Sequence, residues 1–109
     1  MGDRAQVAIE NHDGDGFVYL YTHWNGSELA ATVRAALARR LRWNDREYLT
    51  RIIFCEMIKG CEAEENGFGI GTEEHGDNEH PLIVLDCDNQ KITVGHLTMS
   101  FETFLKTGD

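Results

Sequence analysis

The chain is poor in proline, with one residue, and short of positive charge, with ten lysines and arginines against nineteen aspartates and glutamates. It also lacks any apolar run approaching the ~20 residues that a membrane-crossing helix needs. Each shortage excludes something. So little proline argues against a disordered or polyproline segment. A net charge of −9 repels a bare phosphate backbone, so direct nucleic-acid binding is not expected. The absent apolar run predicts a protein with no membrane span. The opening MGDRAQVAIE carries charge and has no signal-peptide core, so no export is expected from it. The three cysteines, Cys55, Cys61 and Cys87, are odd in number and lack framework spacing. That pattern predicts free thiols in a reducing compartment and hence a cytoplasmic protein.

What is present suits a globular chain. Apolar residues make up 41% of 109 positions, enough for one domain spanning residues 1–109 with one core. Ala5, Val7 and Ile9 alternate with Gln6, Ala8 and Glu10, and Phe17 to Thr22 is aromatic and β-branched. With Asp13-Gly14 between them, these read as a β-hairpin. Ser27 is placed to cap a helix that carries Leu29, Val33, Leu37 and Leu41 and runs to about Arg40. Asn44 with Glu47 forms a capping-box pattern for a second helix, with Leu49, Ile52, Ile53 and Met57 inward and Gly60 at its end. Phe68 to Gly71 reads as a short strand. Leu82 to Leu85 reads as a central strand buried on both faces, and Lys91 to Val94 as its return. Ser100 is expected to cap a last short helix bearing Phe101, Phe104 and Leu105. The order is β-β-α-α-β-β-β-α. It predicts an α+β fold: an antiparallel or mixed sheet of about five strands, two main helices on one face, and a short C-terminal helix.

Charge is divided along the chain. Arg34 to Arg51 holds six arginines against Asp45 and Glu47, whereas Glu56 to His80 holds eight acids against Lys59. Either the two stretches neutralise each other across the fold, or the acidic one is a solvated face open to a basic partner.

Motifs that carry chemistry are sparse. Asn11 to Gly16 has the alternating acids and glycine of a calcium loop. However, Thr22 stands where the bidentate Glu belongs, and the flanks read as strands, so a hairpin turn fits better. Cys55, Cys61, His75 and His80 offer zinc-type ligands. The cysteine pair is too wide for a tight knuckle, and Cys55 falls on a helix as a packing residue. No metal or cofactor is therefore assigned. Cys61, His23, His75 and Asp77 could supply nucleophilic chemistry, but no local signature joins them, and no residue is assigned as catalytic. Gly67-Phe68-Gly69-Ile70-Gly71 lacks the Lys-Ser/Thr of a phosphate loop and reads as flexible or tightly packed backbone. Tyr19, Tyr21 and His23 share one strand face. They either present an aromatic recognition row or pack beneath the acidic segment.

Gly2-Asp3-Arg4-Ala5, Tyr19-Leu20-Tyr21-Thr22-His23-Trp24, Arg42-Trp43-Asn44-Asp45, Tyr48-Leu49 and Arg51-Ile52-Ile53-Phe54 together resemble a group of short bacteriophage and mobile-element proteins. Gly67-Phe68-Gly69-Ile70 and Gly76-Asp77-Asn78 extend the resemblance over most of the chain. The group carries no established catalytic residues, so none is transferred. The resemblance implies a protein of the host bacterial cell that blocks a defence complex, as anti-CRISPR inhibitors of this size and charge do. On that expectation Glu62, Glu64, Glu65, Glu73, Glu74, Asp77 and Glu79 meet a basic nucleic-acid-binding surface of a host protein, with Tyr19, Tyr21 and Trp24 as apolar anchors. The alternative is a small-ligand module, sequestering or hydrolytic. It would hold a nucleotide-like molecule with His23, Trp24, Arg42 and Trp43. A third reading is an assembly protein that forms a homodimer through an exposed edge of the first hairpin.

Overall fold

The computed structural model describes residues 2–11 and 15–107. Strands β1 (Ala5–Glu10) and β2 (Phe17–Thr22) pair antiparallel, with Val7 opposite Leu20 and Ile9 opposite Val18. The Asp13-Gly14 turn and most of the calcium-like loop lie outside the described residues. The period of two sends Ala5, Val7, Ile9, Val18, Leu20 and Thr22 to one face, and Gln6, Ala8, Tyr19 and Tyr21 to the other.

The hairpin sits in the middle of a six-stranded sheet. Its neighbours are β3 (Phe68–Gly71), β4 (Ile83–Asp86), β5 (Lys91–Val94) and β6 (Leu97–Ser100), in the order β3-β2-β1-β4-β5-β6. β1 and β4 run parallel and every other adjacent pair is antiparallel, so the sheet is mixed. Among the described residues there are six strands rather than about five, because Leu97–Ser100 returns along β5 after the two-residue Gly95-His96 turn. The first hairpin also has no free edge: β3 covers β2 and β4 covers β1, which removes the expected dimerising strand.

Among the described residues three α-helices complete the α+β fold: α1 (Leu29–Ala38), α2 (Arg46–Met57) and α3 (Phe101–Lys106). Leu29, Val33, Ala36 and Leu37 form the buried stripe of α1, and Leu49, Ile53 and Met57 that of α2. They share one core with Val7, Ile9, Leu20, Ile83, Leu85, Ile92, Phe101 and Phe104, so all three helices cover the same sheet face. Burying each Leu, Ile or Phe here contributes about 1.5–3 kcal/mol relative to exposure. β4 is buried on this face at Ile83 and Leu85, while Val84 and Asp86 stay half-buried on the other, so it is not enclosed on both sides.

The helix ends depart from expectation in instructive ways. α1 stops at Ala38, because Arg40 turns left-handed at φ 54°. Leu41 is thereby thrown outward to 49% exposure instead of extending the stripe. Ser27 does not cap α1. It lies in a 3₁₀ turn (Gly26–Glu28), and its amide and hydroxyl both donate to the carboxylate of Asp3, at 2.9 and 2.7 Å. α2 is capped by Asp45 rather than Asn44, through the Tyr48 amide. Gly60 is left-handed at φ 86°, two residues beyond the Ile58 cap. Ser100 caps α3 by accepting from the Thr103 amide at 3.0 Å.

The sheet face away from the helices is crossed by the 72–80 segment. The buried Gln6 side chain fastens it: Oε1 accepts from the His75 amide (2.8 Å) and Asn78 Nδ2 (2.9 Å), and Nε2 donates to the Glu73 carbonyl (3.1 Å). A buried amide with its hydrogen bonds met in this way specifies where the segment lies. No helix among the described residues is long and apolar enough to cross a membrane.

Candidate functional site

β3 is an outermost strand. The His23 amide donates to the Gly67 carbonyl at 2.9 Å, and the register continues with Tyr21 opposite Gly69 and Tyr19 opposite Gly71. Antiparallel bonding alternates along a strand. Gly67, Gly69 and Gly71 therefore turn their backbone groups toward β2, while Phe68 and Ile70 direct theirs outward. The Ile70 side chain is 63% exposed, and Phe68 packs partly against the core.

Acidic side chains frame this edge. Glu62, Glu64 and Glu65 stand exposed in the segment between α2 and β3, and Glu73 and Glu74 stand exposed just after β3. None of the five makes an ion pair among the described residues, whereas Asp77 and Glu79 are engaged by Arg4, at 3.5 and 3.2 Å. Five of the six arginines in the basic stretch, all but Arg51, are engaged by other groups. Arg39 pairs with Glu56, Arg40 with Glu102, Arg42 with Asp45 and Arg46 with Asp88, and Arg34 donates to the Phe104 carbonyl. The two charged stretches thus meet at Arg39–Glu56, and the acids around β3 are left to solvent.

Aromatic residues adjoin the edge. The Tyr21 hydroxyl and His23 Nδ1 are 2.8 Å apart, and the Tyr21 ring lies 4.7 Å from that of His75. Part of the aromatic row is therefore covered by the acidic segment. Tyr19 is half-buried, and its hydroxyl pKa is raised by burial and then by the charge of Glu74. Trp24 is 50% exposed and meets His23 edge-on at 5.0 Å. Its ring lies over Gly67, which has φ 97°, and a Cβ at Gly67 would come within 2.4 Å of Trp24 Cζ3. Tyr21, His23, Trp24, Asn66 and Gly67 line a shallow depression of about 280 Å³ at the start of β3.

Comparison of the chain with protein-family models, with curated proteins and with solved structures finds no match.

The four residues of the small-ligand alternative are not brought into one pocket. His23 and Trp24 precede α1, and Arg42 and Trp43 follow it, across ten helical residues or roughly 15 Å. Trp43 is occupied structurally: Nε1 donates to the Leu37 carbonyl at 3.0 Å, and its ring meets Phe101 edge-on at 5.4 Å. The Arg42 guanidinium lies over the Tyr48 ring in a separate depression shared with Arg39, Leu41, Arg51 and Ile52.

Among the described residues no group of three or more His, Cys, Asp or Glu is placed to hold a metal ion. Cys55 is exposed on α2, His75 lies against Tyr21, and His80 contacts Asp3. Cys87 is buried, and burial pushes its thiol up to about 11, which leaves it inert. No hydrogen bond joins Cys61, His23, His75 and Asp77 to one another.

Sequence reasoning passed over Asp3. Its carboxylate sits between Ser27 and His80, taking hydrogen bonds from Ser27 and contacting His80 Nε2. The residue types are those of a nucleophilic triad, but the order is wrong. The carboxylate occupies the middle, and the serine proton faces it instead of an imidazole. The arrangement fastens the chain start to the first turn before α1. No local signal could reveal it, because the partners lie 24 and 77 positions away.

Proposed function

We propose that this chain is a non-catalytic binding protein that docks the β3 side of its sheet onto a basic surface of a partner protein. The observation that carries this reading is the group of five unpaired glutamates on both flanks of an open, partly apolar strand edge. Such a surface attracts a cationic partner over distance and offers Trp24, Tyr19 and Ile70 as contact area. Size, acidity and the resemblance to phage and mobile-element proteins support a narrower reading. In it, the partner is a host defence complex, such as a CRISPR effector, and its nucleic-acid groove is the surface occupied.

The test is expression in a bacterium with active CRISPR interference, beside a variant with Glu62, Glu64, Glu65, Glu73 and Glu74 all changed to Lys. The expected result is lost interference, retention of a nucleic-acid-binding protein on the tagged chain, and displacement of that protein by added DNA or RNA. The variant should lose retention at least tenfold. Unchanged interference with no such protein retained would reject the defence-complex reading. Equal retention by the variant would reject the acidic surface.

A further inference from the structure

Building on the acidic docking surface just proposed, we infer that β3 accepts a basic, extended segment of the partner as a seventh strand of the sheet. Phe68 and Ile70 present N–H and C=O groups that no strand among the described residues takes up, which is the template that strand addition requires. The two sides of the edge differ, and both favour a cationic occupant.

On the helix side, the side chains of Phe68 and Ile70 project with those of Leu20 and Thr22. Next to Phe68 is a hollow of about 270 Å³ lined by the polar Thr22, Asn25, Glu28 and Thr32 and by the apolar Leu29 and Met57. Glu56 and Lys59 also line it, but Glu56 is already paired with Lys59 at 3.3 Å and Arg39 at 3.6 Å, so Glu28 is the carboxylate there without an ion pair among the described residues. A lysine or arginine on the added strand opposite Phe68 would lie over this carboxylate-bearing hollow.

On the other side, Gly69 and Gly71 carry no side chain, and a Cβ at either would meet nothing within 4 Å. Neither has a positive φ, so the backbone does not demand glycine there. Glycine within a strand weakens it and often marks close approach of another backbone. Here the bare strip lets long side chains of the added strand reach across to Tyr21 and Tyr19, the residues paired with Gly69 and Gly71. Beyond the ends of the edge, Glu62, Glu64 and Glu65 and then Glu73 and Glu74 meet the flanks of the incoming segment. The same acids oppose a second copy of this chain, since two molecules of charge −9 would set these clusters against their equals.

The experiment uses the full chain, ¹⁵N-labelled, and a seven-residue peptide of alternating lysine and valine at low salt. The expected result is saturable binding in which exchange of the Phe68 and Ile70 amides slows at least tenfold, while Gly69 and Gly71 change little. Ile70→Pro removes one outward amide without touching the ladder to β2, and should weaken the peptide at least tenfold with the thermal midpoint kept. If that variant does not fold, the amide exchange of the unsubstituted chain decides. Peptide binding with unchanged exchange at Phe68 and Ile70 overturns strand addition but leaves the acidic surface standing. No binding overturns both. Protection of the same amides in concentrated protein without peptide identifies a second copy as the occupant and overturns the inference.

Discussion

At Asp3 one carboxylate receives the Ser27 amide and hydroxyl and contacts His80, so the chain start, the turn before α1 and the segment before β4 close on a single side chain. The fit leaves no room at Gly26, where a Cβ would lie 2.5 Å from the Asp3 carbonyl oxygen. The hydrogen bond from the Ser27 hydroxyl, then that with His80 and that from the Ser27 amide, lower the Asp3 pKa from 3.8 to about 2. A carboxylate whose pKa is lower in the folded chain contributes stability that is complete above its unfolded value. That contribution is lost as pH falls from 3.8 toward about 2. The thermal midpoint of the chain should therefore drop across that window. Asp3→Asn, which cannot ionise, should melt lower than the parent near neutral pH and show a shallower drop in acid. Parallel curves for the two proteins, followed by circular dichroism, would show that the carboxylate is not the group responsible.

For the elements, β3 carries the sharpest opposition between stability and binding. A β-branched residue at Gly69 meets open space and an ordinary strand backbone, so Gly69→Val should strengthen the strand. A gain approaching 1 kcal/mol corresponds to about 4–8 °C in the midpoint of a domain this size. The same side chain fills the strip leading to Tyr21, so affinity for a basic strand should fall about fivefold or more. Calorimetric melting and peptide titration measure the two, and movement in the same direction would contradict the role given to the glycines. How much of this was legible follows from range. The Val18, Leu20, Thr22 face and the Leu29, Val33, Leu37 stripe were readable because periodicity is local. So were Phe68–Gly71 as a strand and Ser100 as a cap. Leu41 fits the same period but is lost to it, because Arg40 leaves the helix at positive φ with no glycine to signal the turn. β6 went unread because Leu97 and Thr98 are exposed and Met99 and Ser100 only half-buried, so it buries nothing fully. The parallel pairing of β1 with β4 joins segments some 76 positions apart (Val7 to Ile83), and it is this pairing that makes β3 an edge. The acids were identifiable in the sequence as a surface. Which five would stay unpaired depended on where Arg4 found Asp77 and Glu79.

Across the whole molecule, charge acts in two directions that salt can separate. The principal extents are 35 × 30 × 25 Å. At 0.01 M ionic strength the Debye length is about 30 Å, so nearly every charge senses every other; at 0.15 M it is about 8 Å. The close pairs, such as Arg40–Glu102 and Arg46–Asp88 at 2.7 Å, lie well inside the shorter length. The repulsion among Glu62, Glu64, Glu65, Glu73 and Glu74, and the excess of −9 overall, act over longer distances and are screened. Raising salt from 0.01 to 0.15 M should therefore raise the thermal midpoint of the isolated chain by relieving that repulsion. The same change should weaken its hold on a basic partner at least tenfold, chiefly through slower association. Melting curves and association rates at matched ionic strengths provide the measurement. If affinity stays constant while the midpoint rises, the glutamates serve solubility alone, and the apolar contacts of Ile70 and Trp24 must carry any docking. If the midpoint falls with salt, the ion pairs outweigh the excess negative charge, and the acids around β3 are less crowded than their unpaired state implies.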